Sequence, residues 1–166
     1  MFEHNIGPFF DEKSNILILG SFPSVKSREE NFYYANKQNR FWKVLAQVFK
    51  DQVPESESEK KDFLTAHRIA LWDVIASCEI FGSSDASIKN VTPSDISLIL
   101  ENAPIEKLVL NGKKAAQLFY RNQGSALPLR NCKAQVIEVY ELPSTSPANA
   151  AFSLDALIAH WSIISK

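Results

Sequence analysis

The sequence predicts an α/β fold: a three-layer α/β/α domain around a central, mostly parallel four-stranded sheet. Three observations lead there. Four short runs of β character are separated by helical stretches, and alternation of this kind implies crossover connections and parallel strands covered by helices. The first three runs are continuously apolar rather than alternating, as strands buried on both faces are. No internal repeat or break in composition divides the 166 residues, so one domain over residues 1–166 is expected.

The first strand is "ILILG", Ile16–Gly20. A helix follows in "NRFWKVLAQVF", where Phe41, Val44, Leu45 and Val48 recur at i, i+3, i+4, i+7 and make one apolar face. "DQVPESESEKK" reads as a polar surface connection running into a helix at "SEKKDFLTAH". The second strand is "RIALWDVI", residues 68–75, with a long loop after it in "IFGSSDASIKN", residues 80–90. "TPSDISLILENA" predicts a helix with Thr92 as N-cap and Pro93 at its first position. "KLVLNG", residues 107–112, is the third strand and "GKKAAQLFYRN" its following helix, with Asn111 placed to cap it. "AQVIEVYELP", residues 134–143, is the fourth strand, and "SLDALIAHWSII" is the last helix.

Composition excludes several classes. Eighteen Lys and Arg against nineteen Asp and Glu leave a net charge of −1, weighing against a purely electrostatic nucleic-acid binder. Charge is nonetheless uneven: over residues 20–43, Lys26, Arg28, Lys37, Arg40 and Lys43 face only Glu29 and Glu30. Two distant cysteines (Cys78, Cys132) and three scattered histidines (His4, His67, His160) have no metal-ligand spacing, so neither a metal nor a disulfide framework is expected. The start "MFEHNIGPFF" lacks a basic segment followed by an apolar one, and no apolar run is long enough to span a bilayer. A cytoplasmic protein, without membrane attachment, is expected.

In parallel sheets of this kind ligands bind at the carboxyl ends of the strands. Three long polar and aromatic loops leave those ends: "GSFPSVKSREENFYYANKQN", "DVIASCEIFGSSDASIKN" and "ELPSTSPANA". "GSFPS" is neither a phosphate loop, having one glycine and no lysine at the required spacing, nor the G-x-S-x-G of an α/β-hydrolase. Aromatics beside an amide and local positive charge suit a pocket for an extruded nucleobase, which needs a stacking face and hydrogen bonds. The same aromatics also fit an ordinary core.

"GSFPSVKSREENFYYANKQNRFWKVL" resembles the mismatch-specific branch of the uracil-DNA glycosylase superfamily, with G-x-N-P-G, then phenylalanine–alanine–histidine–proline, then N-R-F-W-K-V, and matching lengths over residues 20–44. "GSFPS", "FYY", "NRFW", "LWDVIASCEI", "SSDASIKN" and "LPSTSPANA" together resemble its hypoxanthine (deoxyinosine) DNA glycosylase family across nearly the whole chain. The resemblance implies a single glycosylase-like domain, a monomeric base-excision enzyme without cofactor, and damaged DNA as its partner. Two departures stand out. Phe22 occupies the place of the mismatch branch's catalytic asparagine, as in the hypoxanthine family, and Ala35-Asn36-Lys37-Gln38 replaces the usual histidine–proline pair.

Roles follow for individual residues. The resemblance points to Asn39 as catalytic. An asparagine carbonyl can orient a water although it cannot act as a base, and an N-cap of the helix starting near Arg40 is an equally good reading. Tyr34 lies where relatives stack an aromatic on the flipped base, with Ser21 and Phe22 as the adjoining wall. Asp73 falls near the superfamily's base-reading asparagine. A carboxylate accepts from N1–H of hypoxanthine and repels the lone pair at N1 of adenine, while uracil N3–H also satisfies it; a strand-end cap is the alternative. "LPSTSPANA" resembles the DNA-pinching loop, with Ser144 and Ser146 on phosphates and Thr145 near the gap left by the flipped nucleotide; a rigid turn is the alternative. Ser24 and Lys26 complete the DNA contacts. Rival functions are a non-catalytic nucleic-acid-binding module with a degenerate site and a small-molecule α/β enzyme.

Overall fold

The computed structural model describes residues 2–3, 6–79 and 89–166. Its centre is a four-stranded sheet of β2 (Ile16–Gly20), β3 (Ile69–Asp73), β6 (Lys107–Asn111) and β7 (Glu138–Leu142), in the order β3-β2-β6-β7, parallel throughout. β2 is buried along its whole length because both of its faces are covered, which is why it reads as an unbroken apolar run. Side chains alternate across it. Leu17 and Leu19 enter a core with Ile99 and Leu100 of α4 (Ser97–Leu100) and Ala115, Leu118 and Phe119 of α5 (Lys113–Gln123). Ile16 and Ile18 enter the opposite core with α2 (Phe41–Val48), α3 (Glu57–Ala66) and α6 (Leu154–Trp161). These are the three expected layers.

The predicted face of α2 is borne out, since Phe41, Val44, Leu45 and Val48 are all buried. Beside α2, α3 opens with a capping box, Ser56 accepting from the Glu59 N–H at 3.1 Å while the Glu59 carboxylate accepts in return from the Ser56 N–H. The open edge of β3 is covered by residues near Phe9, whose N–H and carbonyl both pair with Leu71 at 2.9 Å. His67 Nε2 lies 2.8 Å from Asp51 Oδ2, and His160 packs against Phe152; both serve the scaffold. His4 and most of the predicted loop over residues 80–90 lie outside the described residues, as does most of "SSDASIKN". Among the described residues no helix is long and apolar enough to cross a membrane.

Three expectations are corrected. The run 68–75 is not one strand: β3 ends at Asp73, and Ile75 begins β4 (Ile75–Glu79), which joins β1 (Phe2–Glu3) and β5 (Lys89–Pro93) in a separate antiparallel sheet of order β1-β4-β5. The turn is held by hydrogen bonds from Val74 N–H to the Gly20 carbonyl (2.8 Å) and from Ile75 N–H to the Ser21 carbonyl (3.2 Å). Thr92 and Pro93 lie in β5 rather than starting a helix. Pro93 sits on the sheet's edge, where a missing donor is tolerated, and the following helix starts later, with the Asp95 carboxylate accepting from the Ser97 N–H. The fourth strand is shorter than residues 134–143, because a turn around the buried Asn131 takes up the residues before β7. A helix absent from the sequence reading, α1 (Val25–Glu30), occupies the first long loop; six residues are too few to show a periodic pattern.

Candidate active site

At the carboxyl ends of β2, β3 and β6 a cleft of about 270 Å³ opens. Register explains its floor. Gly20 pairs with Asp73 across β2 and β3, and a Cβ on Gly20 would lie 2.5 Å from Asp73 Oδ1 and 3.2 Å from Tyr34 Oη. The glycine therefore leaves room for a carboxylate and a phenol to converge at one point. Asp73 is only 4 % exposed, so its charge stands in a poorly solvated setting.

The loop between α1 and α2 presents the next groups. Ser24 caps α1, accepting from the Ser27 N–H, and its hydroxyl donates to Ser27 Oγ, each at 3.1 Å. Ser27 Oγ in turn accepts from the Ala35 N–H at 3.1 Å, while the Trp42 indole N–H donates to the Tyr34 carbonyl at 3.1 Å. Tyr34 is pinned from both sides in the left-handed region (φ 51°), a conformation that costs a non-glycine residue on the order of 1 kcal/mol or more. Its ring stacks on buried Phe41, centroids 3.7 Å apart, so only the opposite face can receive a ligand. Burial, and secondly the charge of Asp73, hold the hydroxyls of Tyr33 and Tyr34 well above the ordinary tyrosine value, so both stay neutral. The Tyr33 hydroxyl donates to the Gly7 carbonyl at 2.8 Å.

Asn36 rather than a histidine–proline pair shapes the turn before Asn39. Its Oδ1 accepts from the Gln38 N–H and its carbonyl from the Asn39 N–H, both at 2.9 Å. Asn39 lines the cleft, and its Oδ1 accepts from the Phe41 N–H at 3.0 Å. The amide thus does satisfy a free donor at the start of α2, though the N-cap position itself is Arg40. A carbonyl oxygen has a second lone pair, so the same bond that caps the helix also orients the amide.

The third wall is residues 143–149. Ser144 Oγ accepts from the Ser146 N–H (3.1 Å) and Ser146 Oγ from the Ala148 N–H (3.2 Å), which leaves each hydroxyl its own hydrogen to donate. Gly112, at φ 99°, lets the end of β6 approach this wall: a Cβ there would meet Ser144 Cβ at 2.9 Å.

Of the residues singled out from sequence, Ser21, Phe22, Ser24, Tyr34, Asn39, Asp73, Ser144, Thr145 and Ser146 all line this one cleft. Phe22 is 9 % exposed, packed in the core with the Arg28 guanidinium 5.6 Å from its ring centroid. Lys26 stands outside the lining, in an exposed pair with Glu30 at 3.1 Å. Thr145, expected at the gap in the DNA, is instead fully buried: its N–H donates to Asn111 Oδ1 and its Oγ1 accepts from Asn111 Nδ2, both at 3.1 Å. The exposed tip is Pro147-Ala148. Asn111 does not cap α5, whose N-cap is Gly112; Asn111 also donates to Tyr34 Oη at 3.2 Å and so ties the stacking ring to the serine wall. In the sequence Asn36 stands out only as part of the segment replacing the histidine–proline pair, and Asn111 only as a helix cap.

The uracil DNA glycosylase superfamily model matches residues 8–162. A hypoxanthine DNA glycosylase of Methanosarcina acetivorans is 34% identical over 155 residues, 92% of each chain. A hypoxanthine DNA glycosylase of Methanosarcina barkeri is 34% identical over 112 residues, 66% of this chain and 71% of that one. A solution NMR structure of a candidate uracil DNA glycosylase from Methanosarcina acetivorans superposes with a TM-score of 0.80 at 30% identity, covering 99% of this chain and 96% of that one.

Proposed function

The chain belongs to the uracil DNA glycosylase superfamily, and from that premise we infer that it is a DNA glycosylase which flips a deaminated base out of DNA and hydrolyses its N-glycosidic bond. Hypoxanthine is the base we propose first and uracil second. The supporting observation is the convergence of Asn39, Tyr34, Asp73 and the serine wall on one cleft at the strand ends. A non-catalytic binding module is not favoured, because relatives matching most of the chain are named as hypoxanthine DNA glycosylases.

In the proposed mechanism the base stacks on the face of Tyr34 that Phe41 leaves open. Asp73 accepts from N1–H of hypoxanthine, and the same carboxylate faces a lone pair in adenine, which disfavours the normal base. The bond between C1′ and N9 breaks, its electron pair leaves with the purine, and water adds at C1′ and releases a proton that neutralises the departing purine anion. Asn39, its amide fixed through the Phe41 N–H, orients that water through its remaining lone pair. Proton abstraction is not its task, so rate comes from positioning and from the electrostatics of the site. Ser21 and Phe22 wall the base, Ser144 and Ser146 donate to phosphates, and Ser24 and Lys26 lie toward the approaching backbone. Pro147-Ala148, rather than Thr145, is the segment we place nearest the emptied stack.

We further propose that residues 1–166 act as one domain and as a monomer, and that the enzyme works in the cytoplasm beside its DNA. The test is a panel of duplexes, each with one modified base, treated with the protein and then with alkali. Strand breaks at deoxyinosine, with fewer at deoxyuridine, are expected; intact strands for every base would overturn the enzymatic reading.

A further inference from the structure

Arg40 sits beside Asn39 in a stretch whose net positive charge suggests a phosphate contact. Its side chain does something else. The guanidinium donates to the carbonyls of Ser146 (2.9 Å), Asn149 (3.0 Å) and Phe152, and the Arg40 N–H donates to the Thr145 carbonyl at 3.1 Å. Its Nε is buried and has no hydrogen-bond partner among the described residues, while Arg40 as a whole is half-buried. A planar fork with several fixed donors can gather carbonyls from a curved segment; a single ammonium cannot hold the same set.

We propose that Arg40 is a positioning residue that locks the 145–152 segment to the loop carrying Tyr34 and Asn39, so that gripping the DNA and orienting the attacking water act as one rigid unit. This rests on the glycosylase reading above. Peptide geometry makes the coupling direct: Arg40 follows Asn39 in the chain, and its own N–H and side chain both end on the serine wall. Asn111 makes a second, independent tie between Tyr34 and Thr145, but only Arg40 reaches as far as Phe152. With that tie cut, the wall can move relative to the amide, and a displacement of about 1 Å costs on the order of 10²-fold in rate.

The experiment uses Arg40→Met and Arg40→Lys in the full chain. Single-turnover cleavage of a deoxyinosine duplex, duplex affinity over a salt series, and Tm are measured, with all assays well below the lower Tm. Both variants are expected to lose ~10²-fold in cleavage rate and about tenfold in affinity at one salt concentration, from the added ordering of a loosened loop. The log–log slope of affinity against salt is expected to match the wild type, because the lost charge faced carbonyls. A slope flattened by ~0.9 would make Arg40 a phosphate ligand and overturn the proposal. Full rescue by lysine would do the same, since charge and not the fork would then matter. Wild-type rate and affinity with only a lowered Tm would reduce Arg40 to a stabilising residue. If the wild type itself cleaves no deaminated base, the glycosylase reading fails, and the affinity and slope still decide for or against Arg40.

Discussion

Gly20→Ala tests whether the position of the Asp73 carboxylate governs catalysis. Gly20 ends β2 and pairs with Asp73. The added methyl would stand 2.5 Å from Asp73 Oδ1, so the oxygen must retreat by about 0.9 Å to reach an ordinary contact of 3.4 Å. Tyr34 Oη, at 3.2 Å, has to give by a smaller amount. Among the described residues, its chain neighbours aside, no other atom lies within 3.4 Å, so the perturbation falls on the two groups proposed to read and stack the base. Misplacement on that scale is worth ~10²-fold in rate. Stability should change little, because a strand glycine replaced by alanine gains ~0.4–1 kcal/mol from a less flexible unfolded chain, offsetting local strain. Single-turnover cleavage of deoxyinosine duplex, paired with a thermal melt, measures both. A near-native rate with an unchanged Tm would refute the reasoning, because the carboxylate would then have moved without consequence.

Asn39→Ala should lower single-turnover cleavage by ~10²–10³-fold, while loss of its bond to the Phe41 N–H costs only ~1 kcal/mol of stability; a lowered Tm with normal cleavage would make it a cap alone. Tyr34→Ala should lose more activity than Tyr34→Phe, since base stacking is worth ~1–3 kcal/mol, whereas the phenylalanine variant gives up the hydrogen bond from Asn111, ~1 kcal/mol of stability. Equal activity losses would assign the role to the hydroxyl. Alkaline denaturation should expose the neutral tyrosines. Tyr33 and Tyr34 titrate above their unfolded value of 10 because they are buried near Asp73. Their contribution is complete below pH 10 and is lost as pH rises further, by ~1.4 kcal/mol per pH unit for each. Replacing both by phenylalanine should flatten the fall in denaturant midpoint between pH 10 and 11; an unchanged slope would exclude them as its source.

How much could be read before folding differs from element to element. β2, β3 and β6 announce themselves because burial on both faces demands apolar residues without alternation, a demand each residue meets alone. The face of α2 is legible for the same reason, written at a period of 3.6. The loops that carry the site follow from strand direction, and their residue types suggest a base pocket. Local pattern could not show what those side chains touch. Asn111 looked like a helix cap and is a bridge from Tyr34 to Thr145. Thr145 was expected near the gap left by the flipped nucleotide and is buried. Arg40 counted as surface charge and is spent on carbonyls more than a hundred residues away. β4 and β5 are polar, irregular strands that show no period, and α1 is too short to have one. Each of these was decided by partners remote in sequence. A hydrogen bond or a clash depends on where the fold carries the other atom, whereas hydrophobic periodicity depends only on a residue's own neighbours along the chain.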